Sequence, residues 1–314
     1  MVELKLKLPE HFLEEEVRED YTVPAKMKEV WAVQLDLLAE LMRVCEAHGI
    51  QYYADAGTLL GAVRHRGYIP WDDDLDVMMM RPDYEKLCAA ASGEFRDPYF
   101  FQTQETEPGT LREHAQLRNS MTTGIRESEA RWRLPFNQGI FLDIFPIDNV
   151  PDDDQDFLLQ CRTADTLIRK ARTRALYKDR YVKDSPNPLR KAAKAAAHAV
   201  LAGPLRKVDF YEKYYRDYIR EVTKYDGQPT TRVAKYFNGL MTEKDRRRRV
   251  WERSWFDTTV MLPFEMMEIP APGGYLELLD RFYGDWKTPV RGTATHGGVI
   301  YDTSRSYKEY LRDE

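Results

Sequence analysis

The 314-residue chain has little cysteine: Cys45, Cys88 and Cys161 stand far apart and form neither a CxxC pair nor an even set. That excludes a disulfide scaffold and argues against a cysteine-built zinc site. Long apolar runs are missing as well. The longest stretch without Asp, Glu, Lys or Arg covers 11 residues, Ala195 to Leu205, too few to span a bilayer. The opening MVELKLKLPEHFLEEE alternates charge with leucine and lacks the apolar segment of a signal peptide. There is no basic excess either. With 47 Lys and Arg against 52 Asp and Glu, the net charge of -5 speaks against a general nucleic-acid binder. No internal repeat or low-complexity tail is visible. What remains is a globular protein, expected to be cytoplasmic, with 43% apolar and 32% charged residues. Its length suits one large domain or two modest ones.

The first half alternates helical and strand signals. Between Pro24 and His48 apolar residues recur at Met27, Val30, Trp31, Leu35, Leu38, Leu41, Met42 and Cys45, a helical stripe that Gly49 stops. IQYYAD (50–55) reads as a strand, Gly57-Thr58 opens a short helical run through Val63, and LDVMMM (75–80) reads as a second strand. Pro82 then starts a helix. Strand signals follow at 98–102, 114–119 and 139–147, so the expected fold is α+β (mixed α/β) with a mixed sheet and flanking helices. Residues 152–250 differ in character. From Leu167 to Lys213 there are 13 Lys and Arg against 4 Asp and Glu, in alanine- and tyrosine-rich helical stretches. After the turn DGQP (226–229), the end of the chain returns to a strand pair, a Pro/Gly turn and a short helix from Tyr275.

The chemistry concentrates in DAGTLLGAVRHRGYIPWDDDLDVMMM (55–80). Asp72, Asp73, Asp74 and Asp76 stand beside the apolar run Val77–Met80, and like charges this close repel unless a cation joins them. On a strand Asp74 and Asp76 face the same side, about 6.6 Å apart at their α-carbons. Such a pair suits Mg²⁺, two ions bridging phosphate being the expected arrangement and Mn²⁺ the substitute. Asp143, a lone acid inside GIFLDIFPI, is the candidate third carboxylate. Gly57 and Thr58 at a helix start suit a phosphate, and Arg64, His65, Arg66 and Arg118 could add positive charge around it.

Each signal also has a plainer reading. A run of aspartates is often a solvated turn, Gly-Thr a helix cap, and Asp143 could be paired with a core arginine. Arg64–Arg66 could be an exposed loop, the RRRR run at 246–249 a solvated helix face, and Cys45 and Cys88 core residues. His296 reads equally as a loop or a site residue. An EF-hand loop is excluded, because Val77 takes the glycine position and Asp83 the terminal glutamate position.

The stretch YYADAGTLLGAVRHRGYIPWDDDLDVMMMRPDYEKL resembles the signature of the LicD family, the bacterial phosphorylcholine transferases related to fukutin. The likeness continues through LRNSMTTG (117–124) and GIFLDIFPIDNVP (139–151), and more weakly through 264–289 and His296. The resemblance implies a nucleotidyltransferase-like core in 1–151 and a segment completing the catalytic domain in 251–314; residues 152–250, which it hardly covers, read from their own composition as a basic helical insertion. It implies Gly57, Thr58, Asp74, Asp76 and Asp143 as the site, with a phospho-alcohol moving from a CDP-linked donor to a glycan hydroxyl and CMP released. CDP-choline is the first donor to expect, a CDP-ribitol or CDP-glycerol type the alternative. The acceptor would be a surface glycan or teichoic acid precursor, lipid-linked or not. Arg118 would stabilise charge on the donor, and Asp143 or an acid near it would be the base, ahead of Asp72, Asp73 and His296. The basic residues of 167–213 would hold an anionic glycan, lie against the inner face of the membrane, or only cap the site. A nucleotidyltransferase moving NMP, a DxD glycosyltransferase and a non-catalytic module are the rival readings. No nucleic-acid partner is expected.

Overall fold

Pro24 and Gly49 bracket a helix, Ala25–His48, around which the first part of the molecule is built. Gly49 takes φ +59°, and its N–H closes the last turn onto Cys45 and Glu46. The helix buries far more than one stripe: Trp31, Leu35, Leu37, Leu38 and Leu41 are fully covered, as are Lys28, Gln34 and Asp36. Each such leucine contributes about 2 kcal/mol of apolar burial. Asp36 is matched, accepting from the Tyr99 hydroxyl and the Leu6 N–H, both at 2.7 Å, and Lys28 Nζ donates to Glu16 Oε1 at 2.7 Å.

This computed structural model describes residues 1–110, 112–130, 134, 136–178, 187–202, 210–235, 242–291 and 298–313. The protein is α+β. Its chain divides into two compact units, Met1–Ile147 with Arg253–Glu314, and Asp148–Glu252.

In the first unit, the strand Asp76–Met80 pairs antiparallel with Tyr53–Ala54 and parallel with Ile140–Val150. The latter pairs antiparallel with Ala115–Asn119, which in turn pairs with Tyr99–Gln102. Val77, Met78 and Met79 are all fully buried, so the sheet is covered on both faces and the strand reads as an unbroken apolar run. The hairpin Thr259–Phe264 with Met267–Pro272 and the helix Tyr275–Tyr283 follow the sequence expectation. Two small pairings carried no usable signal: Glu16–Arg18 with Tyr21–Val23, and Thr123–Arg126 with Val299–Asp302. Strands this short depend on their partners rather than on their own pattern.

In the second unit, the helices Asp154–Lys178 and Phe210–Val222 pack through Phe157, Cys161, Ile168, Tyr218 and Val222. Arg232 secures the entry, donating to Pro151 O at 2.6 Å, Asp152 O at 2.7 Å and Asp154 Oδ1 at 2.8 Å. The helix Pro188–Ala202 is exposed, Leu189 at 80% and Val200 at 52%. Among the described residues no helix is long and apolar enough to cross a membrane.

Candidate functional site

The acidic stretch 72–76 is held by its backbone. Trp31 Nε1 donates to Asp72 O at 3.0 Å, while Gln34 Nε2 and the Tyr301 hydroxyl donate to Asp73 O at 2.8 and 2.9 Å. With both carbonyls engaged by buried donors, the loop has a fixed path and its carboxylates a fixed starting point. The strand begins at Asp76, so Asp74 lies in the extended segment before it rather than on the strand. Asp74 and Asp76 nevertheless line the same cavity, of about 430 Å³, together with Asp72.

The Gly-Thr turn serves that loop in a way the sequence did not suggest. Asp55 caps the helix Ala56–His65, accepting from Ala56 N at 2.8 Å, and Ala56 takes the left-handed φ of +44°, a strained choice for a residue with a Cβ. Thr58 Oγ1 accepts from Asp76 N at 2.8 Å, tying the helix start to the strand start. A Cβ at Gly57 would stand 2.3 Å from Asp72 Oδ2. Glycine at this position leaves room for the Asp72 carboxylate to approach the helix start closely. Burial, and then the charge of Asp74, push the Asp72 carboxyl well above its ordinary range.

Asp143 sits directly across from Asp76 in the parallel pairing, about 4.8 Å away along the sheet. Its surroundings are the reverse of Asp72's. Gln116 Nε2 donates to Asp143 Oδ1 at 2.5 Å, His114 Nε2 lies 3.3 Å from the same oxygen, and Arg126 reaches Oδ2 at 4.0 Å. Burial alone would raise this carboxyl, but His114, Arg126 and Gln116 hold it well below the ordinary range. Burial lowers His114. Arg118 is behind this group, donating to Gln102 Oε1 and Gly139 O, both at 2.7 Å, and to Gln116 Oε1. It does not line the cavity; it orients the amide that holds Asp143. Gln116 and His114 were missed, although they alternate with Arg118 along Ala115–Asn119 and its preceding residue, on the side that meets Asp143.

Arg64 lines the cavity and donates to Trp286 O at 2.9 Å, with burial lowering its guanidinium. His65 does not line it; its side chain is buried, with Nε2 3.2 Å from Glu19 Oε2. Both close a helix rather than forming a loop. Asp73 stands beside its neighbours, since Asp72, Asp73 and Asp74 bring carboxylate oxygens within 4.8 Å of one another. With Asp76 on the same cavity as Asp72 and Asp74, this cluster offers only oxygen donors, a set that fits a hard divalent cation of the Mg²⁺ or Mn²⁺ kind. His296 lies outside the described residues. Trp71, Tyr283, Asp285 and Trp286 also line the cavity; they lie in stretches 55–80 and 264–289 that the sequence reading singled out, but were not themselves named as site residues.

Residues 49–184 match the family described as LicD/FKTN/FKRP, nucleotidyltransferase domain. The lipopolysaccharide cholinephosphotransferase LicD of Haemophilus influenzae is 27% identical over 271 residues, covering 83% of this chain and 91% of that protein. The human ribitol 5-phosphate transferase FKRP is 38% identical over 69 residues, 21% of this chain and 14% of its own length. An uncharacterized protein of Rickettsia prowazekii shares 47% identity over 47 residues, 15% of this chain and 18% of its own. The resemblance first read in YYADAGTLLGAVRHRGYIPWDDDLDVMMM is thus borne out: residues 49–184 match the LicD family's nucleotidyltransferase domain, and most of the chain is similar to a LicD cholinephosphotransferase.

Proposed function

We propose that the acidic cavity is the donor site of a phospho-alcohol transferase, which moves phosphocholine from CDP-choline to a hydroxyl of a glycan and releases CMP. The observation that carries this reading is the convergence of Asp72, Asp74 and Asp76 with Gly57 and Arg64 in one cavity of about 430 Å³. The names of the relatives, a cholinephosphotransferase and a ribitol phosphate transferase, support the reaction type. In the step itself, the acceptor hydroxyl oxygen attacks the phosphorus that carries the alcohol. A new P–O bond forms, the P–O bond to CMP breaks, and the hydroxyl proton passes to a carboxylate.

Asp74 and Asp76 are the residues that would hold Mg²⁺ or Mn²⁺. Such an ion supplies charge neutralisation for the phosphates and the departing CMP. Asp72, which lines the cavity beside Asp74 and Asp76, is placed to take the proton from the acceptor hydroxyl. Asp143, held far below the ordinary carboxyl range, suits fixing charge beside Asp76 and makes a weak base. Arg64 meets the donor phosphates from the cavity wall. In the second unit, Arg190 and Lys191 beside exposed Leu189 on Pro188–Ala202 support a peripheral contact with an anionic membrane surface.

The test is incubation of the protein with CDP-choline, Mg²⁺ and a hydroxyl acceptor, followed by measurement of CMP. Release of CMP that disappears in Asp76→Asn is expected. Pyrophosphate release from CTP, with CDP-alcohols left intact, would replace this reading with nucleotidyl transfer. For the membrane contact, loss of sedimentation with anionic vesicles in Arg190→Glu with Lys191→Glu is expected, and unchanged sedimentation removes it.

A further inference from the structure

The cavity has an aromatic wall that phosphate chemistry leaves unexplained. Trp71, Phe282, Tyr283 and Trp286 line it together with the acids. Among the described lining residues, Asp72, Asp74, Asp76 and Asp285 face a single basic side chain, Arg64. If a divalent ion takes the buried acids, Asp285 remains beside the rings. Exposure falls along the lining, from 73% at Val290 to 7% at Asp74, so the cavity runs from an open end to a buried acidic one. Asp285, exposed and accepting from Thr288 Oγ1 at 2.8 Å, belongs to the open end.

The rings are held in place. Trp286 Nε1 donates to Asp280 Oδ1 at 2.7 Å, and Phe282 meets Tyr283 edge to face with centroids 4.7 Å apart. Trp71 stands edge-on to Tyr21 at 6.0 Å. Two of them already attract cations of the chain. The Arg291 guanidinium is 5.9 Å from the Trp71 ring, and the Lys287 ammonium is 5.6 Å from the Trp286 ring. Both cations are on exposed residues, and the Arg291 guanidinium also donates to Glu19 O at 3.3 Å and Asp20 O at 2.9 Å. Fixed electron-rich rings beside a carboxylate recognise a large cation that donates no hydrogen bonds. A polyol would instead need a ring of hydrogen-bonding side chains.

We propose that Trp71, Tyr283 and Trp286, with Asp285, form the seat for a quaternary ammonium group on the donor's alcohol, while Arg64 faces its phosphate. The proposal rests on reading the cavity as the donor site and adds the residues that select the alcohol. The experiment titrates the full chain, by calorimetry, with choline and with its neutral carbon isostere, in which a tert-butyl group replaces trimethylammonium. Choline is expected to bind about tenfold more tightly; equal binding overturns the seat. Trp71→Leu and Tyr283→Leu should each erase that preference while CMP affinity is unchanged. If CMP affinity falls as far as choline affinity, the rings stack the nucleotide base and the proposal is wrong. Should no CDP-alcohol release CMP, the transferase reading fails, yet the choline-to-isostere ratio still decides the seat.

Discussion

Two groups of carboxylates lie one strand apart in the first unit, and their environments oppose each other. Asp143 is met by the Gln116 amide, by His114 and by Arg126, and is held low. Asp72 is met by Asp74 and the start of a helix, and is driven high. The chain therefore satisfies one buried acid from its own residues and gathers others where Asp74 raises the proton affinity of Asp72. A protein stabilises itself by the first arrangement and gains only function from the second. The comparison teaches that burial of an acid says little until its neighbours are named.

The largest expected effect comes from the cavity side. Asp76→Asn and Asp74→Asn should each lower kcat/KM for CMP release by about a thousandfold or more, the worth of a metal site in a phosphoryl-type reaction. Mg²⁺ binding, followed by calorimetry, should weaken in parallel. Thermal stability should hold or rise, because neutralising one of several crowded acids relieves repulsion. A variant that keeps its turnover but melts early would place Asp76 with Asp143 as a structural acid and dissolve the distinction.

Asp143→Asn tests the other side. Removing the charge leaves His114 and Arg126 facing a neutral amide in a buried position, and breaking one partner of such a group costs about 3 kcal/mol. Urea denaturation should show that loss as a lower midpoint with an unchanged slope. An Asp143→Asn protein as stable as the parent would mean that its neighbours do not anchor the sheet. Thr58→Val comes next in size. It removes the hydroxyl that accepts from Asp76 N, leaves a buried N–H without that partner, and should cost about 1 kcal/mol in stability together with a rise in the Mg²⁺ concentration needed for half activity. Thr58→Ser should restore both.

Much of this arrangement was legible in the chain, for identifiable reasons. Strands at 76–80, 99–102, 115–119 and 140–150 announce themselves by apolar runs, and the helix Ala25–His48 by its stripe and its Gly49 stop. The adjacency of Asp76 and Asp143 was an inference about sheet neighbours, and the register sets them opposite. What was hidden depends on distance along the chain. Tyr301 reaches Asp73 O across 228 positions, and Tyr283 and Trp286 share a cavity with Trp71 without any local pattern to say so. Arg118 misled in another way. Its charge suggested a phosphate ligand, but a guanidinium with five donors can be absorbed by buried carbonyls, and Gln102, Gln116 and Gly139 provide them.

The smallest effect should come from Tyr301→Phe, and its size sharpens the meaning of the clamp on the acidic loop. The substitution removes a hydroxyl but keeps the ring that packs beside the loop. Asp73 O would still accept from Gln34 Nε2, and Asp72 O from Trp31 Nε1, so the expected loss is below about 1 kcal/mol, or about threefold in turnover. If the clamp acts as a unit, Gln34→Leu combined with Tyr301→Phe should cost more than the sum of the two, because Asp73 O then loses both donors at once. Additive losses would mean that water replaces either donor freely. In that case the fixed path of the loop would come from the strand and from Thr58, not from the helix Ala25–His48.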